Sequence, residues 1–437
     1  MPPAAAPSHA PPWPDSHWLA SAGPPLDCAP LSGEAEAEVA IVGAGYAGLN
    51  AAPELAEVHG IRAVVLEAGQ PGWGASGRNG GFCCLGGAML DEGQIARRHG
   101  AQAASDWARY EHAAIARVRD NLARYAIEAD AGPGGEIKLA HSPRALAVMR
   151  AGAGPEERVI EPEDLAAHGF GGRFHGGLFN PAGFPLHPLK YARGLARAAL
   201  DAGVRLHGES AVRGLERAGQ GWRLITDKGA ARARRVLWAT NGYSPEPLLP
   251  WLKGRIWPFN SAILVTRPLS EAERAAQGWT SQVMAYDSRR MLHYFRLLPC
   301  GRFLFGGRGG ASGTPAAEAA FAPVLRAEFA ALFPAWAQVE VERYWGGNVC
   351  LTGSGLPWCG AVPGQAGLFV ALGWHGNGVA AASEGGRRIA PALAGGENAA
   401  PGLLQHRPGR SVPPLLRPLA VRAFAALTRL ADGPVGR

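Results

Sequence analysis

The stretch AEVAIVGAGYAGLNAAPELAE, residues 37–57, decides the fold. An apolar run over 39–42 meets three glycines at Gly43-x-Gly45-x-x-Gly48, and small and apolar residues follow. The reading is strand, tight turn, helix. IRAVVLE at 61–67 supplies the next strand, so about 30 residues make the opening of one βαβ unit. The first glycine makes the turn, the second lets the backbone approach a pyrophosphate, and the third permits close packing of helix on strand. The helix N-terminus then faces the anion. Glu67 ends the second strand, 24 residues after Gly43, where a carboxylate can accept both hydroxyls of a ribose. A dinucleotide site is expected. The acid at 67 argues against a 2′-phosphate, while NAD and FAD both stay open on these residues alone. Pro53 falls inside the expected helix, where a proline costs about 3 kcal/mol, and nothing in the pattern accounts for it.

Working outward, 437 residues are enough for roughly two to three domains, each with its own core. Hydrophobic residues make 47% of the chain and charged ones 18%, which is the balance of a globular protein. The formal charge is +7, carried almost wholly by arginine, since the only lysines are Lys138, Lys190, Lys228 and Lys253. The arginines are scattered rather than gathered into a stripe, and that argues against nucleic acid as a partner. Six cysteines show neither a CxxC pair nor ligand-like histidine spacing, so no disulfide framework and no metal site is expected. The first 18 residues lack a basic and an apolar region, the first arginine being Arg62, and no apolar run approaches the roughly 20 residues of a membrane span. A reducing, cytoplasmic setting without an integral membrane segment is the expectation.

Further along, residues 70–90 are too glycine-dense for regular structure. Trp107, Tyr110, Ala114, Ile115, Val118, Leu122 and Tyr125 then recur at helical spacing, and a second helix is expected over 186–202, with Pro188 at its start. Strand-like runs follow at 204–212, 222–226 and 234–240. SAILVT, MLHYFR and RFLFGG, within 256–310, predict an antiparallel sheet, and 367–396 again reads strand, glycine-rich turn, helix.

Five separated stretches carry a resemblance. They are ASGRNGG (75–81), FHGGLFNPAGFPLHPLKYARGLARAA (174–199), ATNGYS (239–244), HYFRLLPCGRFLFGGR (293–308) and GWHGNGVAAASEGG (373–386). In this order they resemble the FAD-dependent oxidoreductases of the D-amino-acid-oxidase-like superfamily, which includes glycine oxidase and sarcosine oxidase. The similarity is greatest to the gamma-glutamylputrescine oxidase-like branch and covers nearly all of residues 17–395. The implied fold is α/β plus β. A discontinuous Rossmann-like FAD-binding domain would comprise 37–100, 186–247 and 346–396. A second, antiparallel-sheet substrate domain would comprise 101–185 and 248–345, with 1–36 a Pro-rich N-terminal arm, extended on the surface or partly disordered, and 397–437 a C-terminal tail or helix.

The resemblance implies FAD contacts at Gly43, Gly45, Tyr46, Ala47, Gly48 and Glu67 in the opening unit. It implies others at Ala75, Ser76, Arg78, Asn79 and Gly80 in the second loop, and at Val212, Thr240, Asn241, Gly242 and Gly346. The last loop adds Gly373, His375, Gly376, Asn377, Gly378 and Val379, where a helix N-terminus would stabilise an anionic flavin edge. Candidate substrate residues are His293, Tyr294, Arg296, Arg308 and Trp374; no catalytic base is nominated, because a neutral amine can release its hydride unaided.

Two departures stand out. Ser354 in TGSGLP (352–357) occupies the place of an aspartate in the family's T-x-D-x-x-P pattern. Relatives that attach FAD to cysteine do so where Gly347 stands here, with Cys350 three residues too late, so FAD is expected to be non-covalent. The implied reaction is oxidation of the C–N bond of a small amine or amino-acid derivative, with oxygen or another compound as electron acceptor and, with oxygen, hydrogen peroxide as product. A glycine- or sarcosine-type oxidase or dehydrogenase is the alternative within the fold. A flavin-binding electron-transfer subunit without amine turnover, or a plain NAD dehydrogenase, are the alternatives outside it. The apolar, basic stretch 412–430 reads as a helix packed on its own domain or, less favoured, as a surface for a membrane.

Overall fold

The opening stretch forms the strand Gly33–Val42, the helix Tyr46–His59 and the strand Val64–Leu66, in a computed structural model that describes residues 12–310, 315–411, 413 and 416–436. The helix carries Pro53 without a break. Gly33–Val42 pairs in parallel with Gly229–Trp238 on one side and Val64–Leu66 on the other. Leu368–Leu372 and Arg205–His207 extend this parallel array at its two edges, and Trp358–Ala361 and the hairpin Gly214–Ala218/Gly221–Ile225 add antiparallel strands. Val39, Ala40 and Ile41 are all fully buried, as a parallel strand sandwiched between two layers requires. The chain builds this sheet from three separate segments, returning to it twice, so the unit is discontinuous.

The helices Tyr46–His59 and Gly378–Ala394 cover one face of the sheet. The helix Ala101–Arg124 joins them, although the sequence reading placed residues 101–124 in the second domain. Trp107, Tyr110, Ala114, Ile115 and Val118, the stripe visible in the sequence, enter the core of the first unit. Tyr110 Oη donates to Ala381 O at 2.6 Å, and Asn121 Nδ2 to Asn50 Oδ1 at 2.7 Å. Periodicity shows that a helix has an apolar face but not which layer that face meets.

The second sheet has eight strands in the order Val341–Thr352, Ile256–Thr266, Phe303–Gly310, His293–Leu297, Met284–Asp287, Glu136–Leu139, Gly177–Asn180 and Arg158–Ile160. All pairs are antiparallel except Met284–Asp287 with Glu136–Leu139. Residues 346–352 belong to this sheet, because Val341–Thr352 runs unbroken across the boundary expected at 346. One sheet face packs a cluster of aromatic rings, among them Phe295, Phe303, Phe305, Phe329 and Phe333, under the helix Pro315–Leu332.

The described part of the N-terminal arm is not a surface strap. His17–Ser21 is a helical turn whose Trp18, 2% exposed, packs with Leu189, Ile263 and Trp345; residues 1–11 lie outside the described ones. At the other end, the helix Arg417–Asp432 buries Val421 and Thr428 and leaves Leu419, Leu427 and Leu430 exposed; 412, 414 and 415 lie outside the described residues. Arg289 donates to the carbonyls of Asp432, Gly433 and Pro434, fixing the end of this helix. No helix among the described residues is long and apolar enough to cross a membrane. All six cysteines are free.

Candidate functional site

Two adjoining cavities, of about 310 and 660 Å³, meet at a wall made by Ala75, Asn79, Asn348, Val349, Gly376 and Val379. The smaller opens at the carboxyl ends of the parallel strands, where α/β sheets bind their ligands. It is lined by Gly43, Gly45, Tyr46, Ala47, Glu67, Ala75, Ser76 and Asn79, and by Val212, Thr240, Asn241, Trp374, Gly376, Gly378 and Val379. Gly48, Gly242, Gly346 and Gly373 do not line either cavity. Gly48 serves from beneath: a Cβ there would lie 2.1 Å from Gly43 O, so helix and turn could not close as they do. Gly43 itself has φ +106°, which a side chain would strain.

Glu67 is buried, with Oε2 accepting from Ala44 N at 2.7 Å and Oε1 from Gly69 N at 3.0 Å. Burial raises its carboxyl, opposed by these backbone donors, and each oxygen keeps lone pairs for hydroxyl donors of a ligand. Ser76 Oγ accepts from Tyr46 N at 3.0 Å, tying the second loop to the first helix N-terminus. Asn79 is occupied by the loop itself: Nδ2 donates to Ala75 O and Ser76 O, and Oδ1 accepts from Gly81 N. Arg78 donates through Nε to Trp73 O and stacks over that indole at 4.5 Å, while its buried Nη2 has no hydrogen-bond partner among the described residues.

In the last loop, His375 has φ +49° and its ring is fully engaged. Nδ1 donates to Gly87 O at 2.9 Å and Nε2 accepts from Thr352 N at 3.1 Å, which fixes one neutral tautomer; burial first, then the Arg308 charge, lowers its pKa to about 4, against the bond to Gly87. Asn241 Oδ1 accepts from Gly373 N, and Asn377 Nδ2 donates to Leu85 O. These side chains shape the turn so that the N-terminus of Gly378–Ala394 opens onto both cavities.

The larger cavity lies on one face of the second sheet. Tyr294 and Arg308 line it, together with Arg78, Asn79, Gly80, His375 and Asn377. Tyr294 Oη shares a 2.9 Å hydrogen bond with Ser261 Oγ, and burial pushes its phenol up to about 12. The structure does not bring His293 or Arg296 to either cavity. His293 points to the opposite face, bonded to Asp287 Oδ2 at 2.6 Å and to Glu328 Oε2 at 3.2 Å. Arg296 is on the inner face but spends its guanidinium on Gly80 O at 3.0 Å and Leu186 O at 2.7 Å. Trp374, expected near a substrate, lines the smaller cavity.

Several lining residues were not legible beforehand. Trp257, whose Nε1 has no partner among the described residues, lines the larger cavity, as do Tyr286 and Glu136, a carboxylate from a short strand without any motif. Ser354 also lines it, its Oγ bonded to Thr352 Oγ1 at 3.2 Å. His187 accepts from Lys190 N and caps the helix Pro188–Asp201.

An FAD fits these residues. The smaller cavity has the tight glycine turn, a helix N-terminus and the Glu67 carboxylate; Gly376 and Val379 bring a second helix N-terminus to the shared wall, and Arg78, with its orphaned Nη2, lines the larger cavity beside it, both suited to an electron-rich ring. Residues 38–392 match the family described as FAD dependent oxidoreductase. The gamma-glutamylputrescine oxidoreductase of Escherichia coli is 30% identical over 387 residues, covering 86% of this chain and 88% of that protein. The probable oxidoreductase OrdL of Haemophilus influenzae is 28% identical over 401 residues, covering 86% and 88%. Among solved structures, glycine oxidase from Geobacillus kaustophilus superposes with a TM-score of 0.69 at 22% identity, over 86% of this chain and 100% of that one.

Proposed function

We propose, from the premise that this chain belongs to the family of FAD-dependent oxidoreductases, that it oxidises the C–N bond of a small amine or amino-acid derivative. The observation that carries the reading is the shared wall. A cavity with dinucleotide geometry runs directly into an aromatic cavity with charged groups in its walls. The relatives support it, one being a gamma-glutamylputrescine oxidoreductase and another, 27% identical, a glycine oxidase from Pseudomonas aeruginosa.

FAD, when bound, supplies the acceptor for the hydride that leaves the carbon beside the nitrogen, and water hydrolyses the resulting imine to a carbonyl compound and an amine. The turn at Gly43, Gly45 and Gly48 and the Tyr46–His59 N-terminus would hold the pyrophosphate, and Glu67 would hold the ribose. The Gly378–Ala394 N-terminus at the shared wall and Arg78 beside it would stabilise negative charge on the bound ring. Phe82, Trp257, Phe259 and Tyr294 keep the reacting end dry. Tyr294 stays protonated and His375 Nε2 is already an acceptor, so neither takes a proton from an ammonium, and the substrate nitrogen arrives neutral. Arg308 is the motif arginine placed to meet a carboxylate.

The test is an anaerobic titration of the yellow holoenzyme with primary amines, secondary amines and amino acids. Bleaching of the flavin band by one class is the expected result; a band unchanged by the whole panel would favour a flavin protein without amine turnover. Readmitting air then separates acceptors: peroxide formed in step with amine consumed marks an oxidase, and a band that stays bleached points to another acceptor.

A further inference from the structure

Glu136 has no place in the oxidation described above, yet it is built into the wall of the larger cavity. It is only 9% exposed, and none of the ion pairs among the described residues includes it. The thiol of Cys84, a weak donor, is the hydrogen-bond partner of its carboxylate. Leaving a carboxylate buried without a cation is costly unless something else satisfies it. Desolvation pushes it up to about 7, aided by Glu157 and Glu111 and opposed by the Cys84 bond and by Lys138. Polar groups kept in such a state in a cavity wall are commonly there for a ligand.

Register places it. Tyr286 pairs with Tyr294, Ser261 with Arg308, and Glu136 with Met284, two residues from Tyr286. Side chains two apart on a strand, or paired across strands, share a face. Arg308, Tyr294, Tyr286 and Glu136 therefore stand in a diagonal row across four consecutive strands, all lining the larger cavity. Three strand spacings of about 4.8 Å, with Arg308 two residues to one side of the Tyr286–Tyr294 pair and Glu136 two residues to the other, put the backbones of Arg308 and Glu136 about 20 Å apart. The wall shared with the smaller cavity, at Asn348 and Val349, lies on the strand at the other end of the row, beyond Ile256–Thr266. Glu136 is not part of that wall, whose other residues are Ala75, Asn79, Gly376 and Val379.

We infer that Glu136 binds a second, cationic nitrogen at the far end of an elongated substrate, so that the enzyme's amines carry a basic or ammonium group distant from the one oxidised. This rests on the amine-oxidising reading and deepens it. An ammonium there converts the uncompensated carboxylate into a buried pair, and the aromatic rings of Tyr286 and Tyr294 line the path of the connecting chain.

The holoenzyme is tested with linear monoamines and the α,ω-diamines of equal length, four to ten carbons, following anaerobic flavin bleaching and steady-state kinetics. At one or more lengths the diamine is expected to exceed its monoamine at least tenfold in kcat/KM, mainly through KM. In E136Q that ratio should fall to within about twofold of one. Equal kcat/KM for the pair at every length, or a ratio that E136Q leaves intact, overturns the inference, and the wild-type comparison stands even if the variant folds poorly. Should no amine bleach the flavin, the amine-oxidising reading fails, and calorimetric binding of the diamines to oxidised holoenzyme still decides. Binding that E136Q weakens tenfold keeps the cationic subsite; equal binding, or none, removes it.

Discussion

His293 shows how one residue can carry a motif's most chemical side chain and yet serve stability. Its imidazole is sandwiched against Phe305 and held between Asp287 and Glu328. Burial alone would lower its pKa, but the two carboxylates outweigh burial and raise it to about 9. The folded value lies above the unfolded one of about 6.5. The pair's contribution is therefore complete below about pH 6.5 and is lost as pH rises through about 9. H293Q removes the charge and leaves Asp287 buried without this partner, which costs on the order of 3 kcal/mol at neutral pH. Thermal unfolding of both proteins from pH 6 to 10 is the check: the gap should narrow toward pH 10, and parallel curves would refute the assignment. The sequence pattern HYFR showed that two of these residues face each way, but not which face met the cavity. That depends on the helix Pro315–Leu332, whose Glu328 lies outside every motif.

At the scale of elements, the loop over residues 75–81 is held by segments far from it in the chain. Three successive carbonyls each receive a side-chain donor: Arg78 O from Trp345 Nε1 at 2.8 Å, Asn79 O from Trp18 Nε1 at 2.8 Å, and Gly80 O from Arg296 Nε at 3.0 Å. Trp18 meets His187 and Trp345 edge-on, at centroid distances of 4.7 and 6.2 Å, and lies 5.5 Å from the Arg296 guanidinium. A glycine-rich loop has little side-chain packing of its own, so its position depends on such donors. W18A should cost about 3 kcal/mol of stability and weaken FAD retention, because Asn79 O loses its partner beside Arg78. Thermal unfolding together with flavin-fluorescence titration of the apoprotein measures both. Unchanged FAD affinity in a destabilised variant would reduce Trp18 to a packing residue. The loop's glycines were visible in the sequence because backbone geometry leaves a local signature. Its clamps were not, since a lone tryptophan in a Pro-rich arm has no period to read.

At the scale of the whole molecule, the parts legible in advance are those written within one short segment. The Gly43–Gly48 turn, Glu67 and the turn before Gly378 are each set by neighbours in sequence, and the structure gathers them at one cavity mouth. The larger cavity is made instead by strands from 136 to 352 meeting the loops at 75–90 and 375–377, so Glu136 and Trp257 gave no warning. The same architecture predicts how FAD is held. Gly347 offers no sulfur, and the cysteines that line the cavities, Cys84 and Cys350, are buried thiols; burial pushes both well up, Cys350 to about 12. Neither is a thiolate at neutral pH, so neither is a nucleophile for the ring. Acid precipitation should leave all the flavin in the supernatant, and yellow colour in the pellet would refute non-covalent attachment. Because the cofactor would join the walls of both cavities, it should also act as a ligand of the folded state alone. Adding FAD to apoprotein at about 100 times its Kd should then stabilise folding by about 2.7 kcal/mol. The Tm should climb with FAD concentration and show no plateau once the site is full. A Tm independent of FAD would mean that FAD does not bind the folded state in preference to the unfolded one.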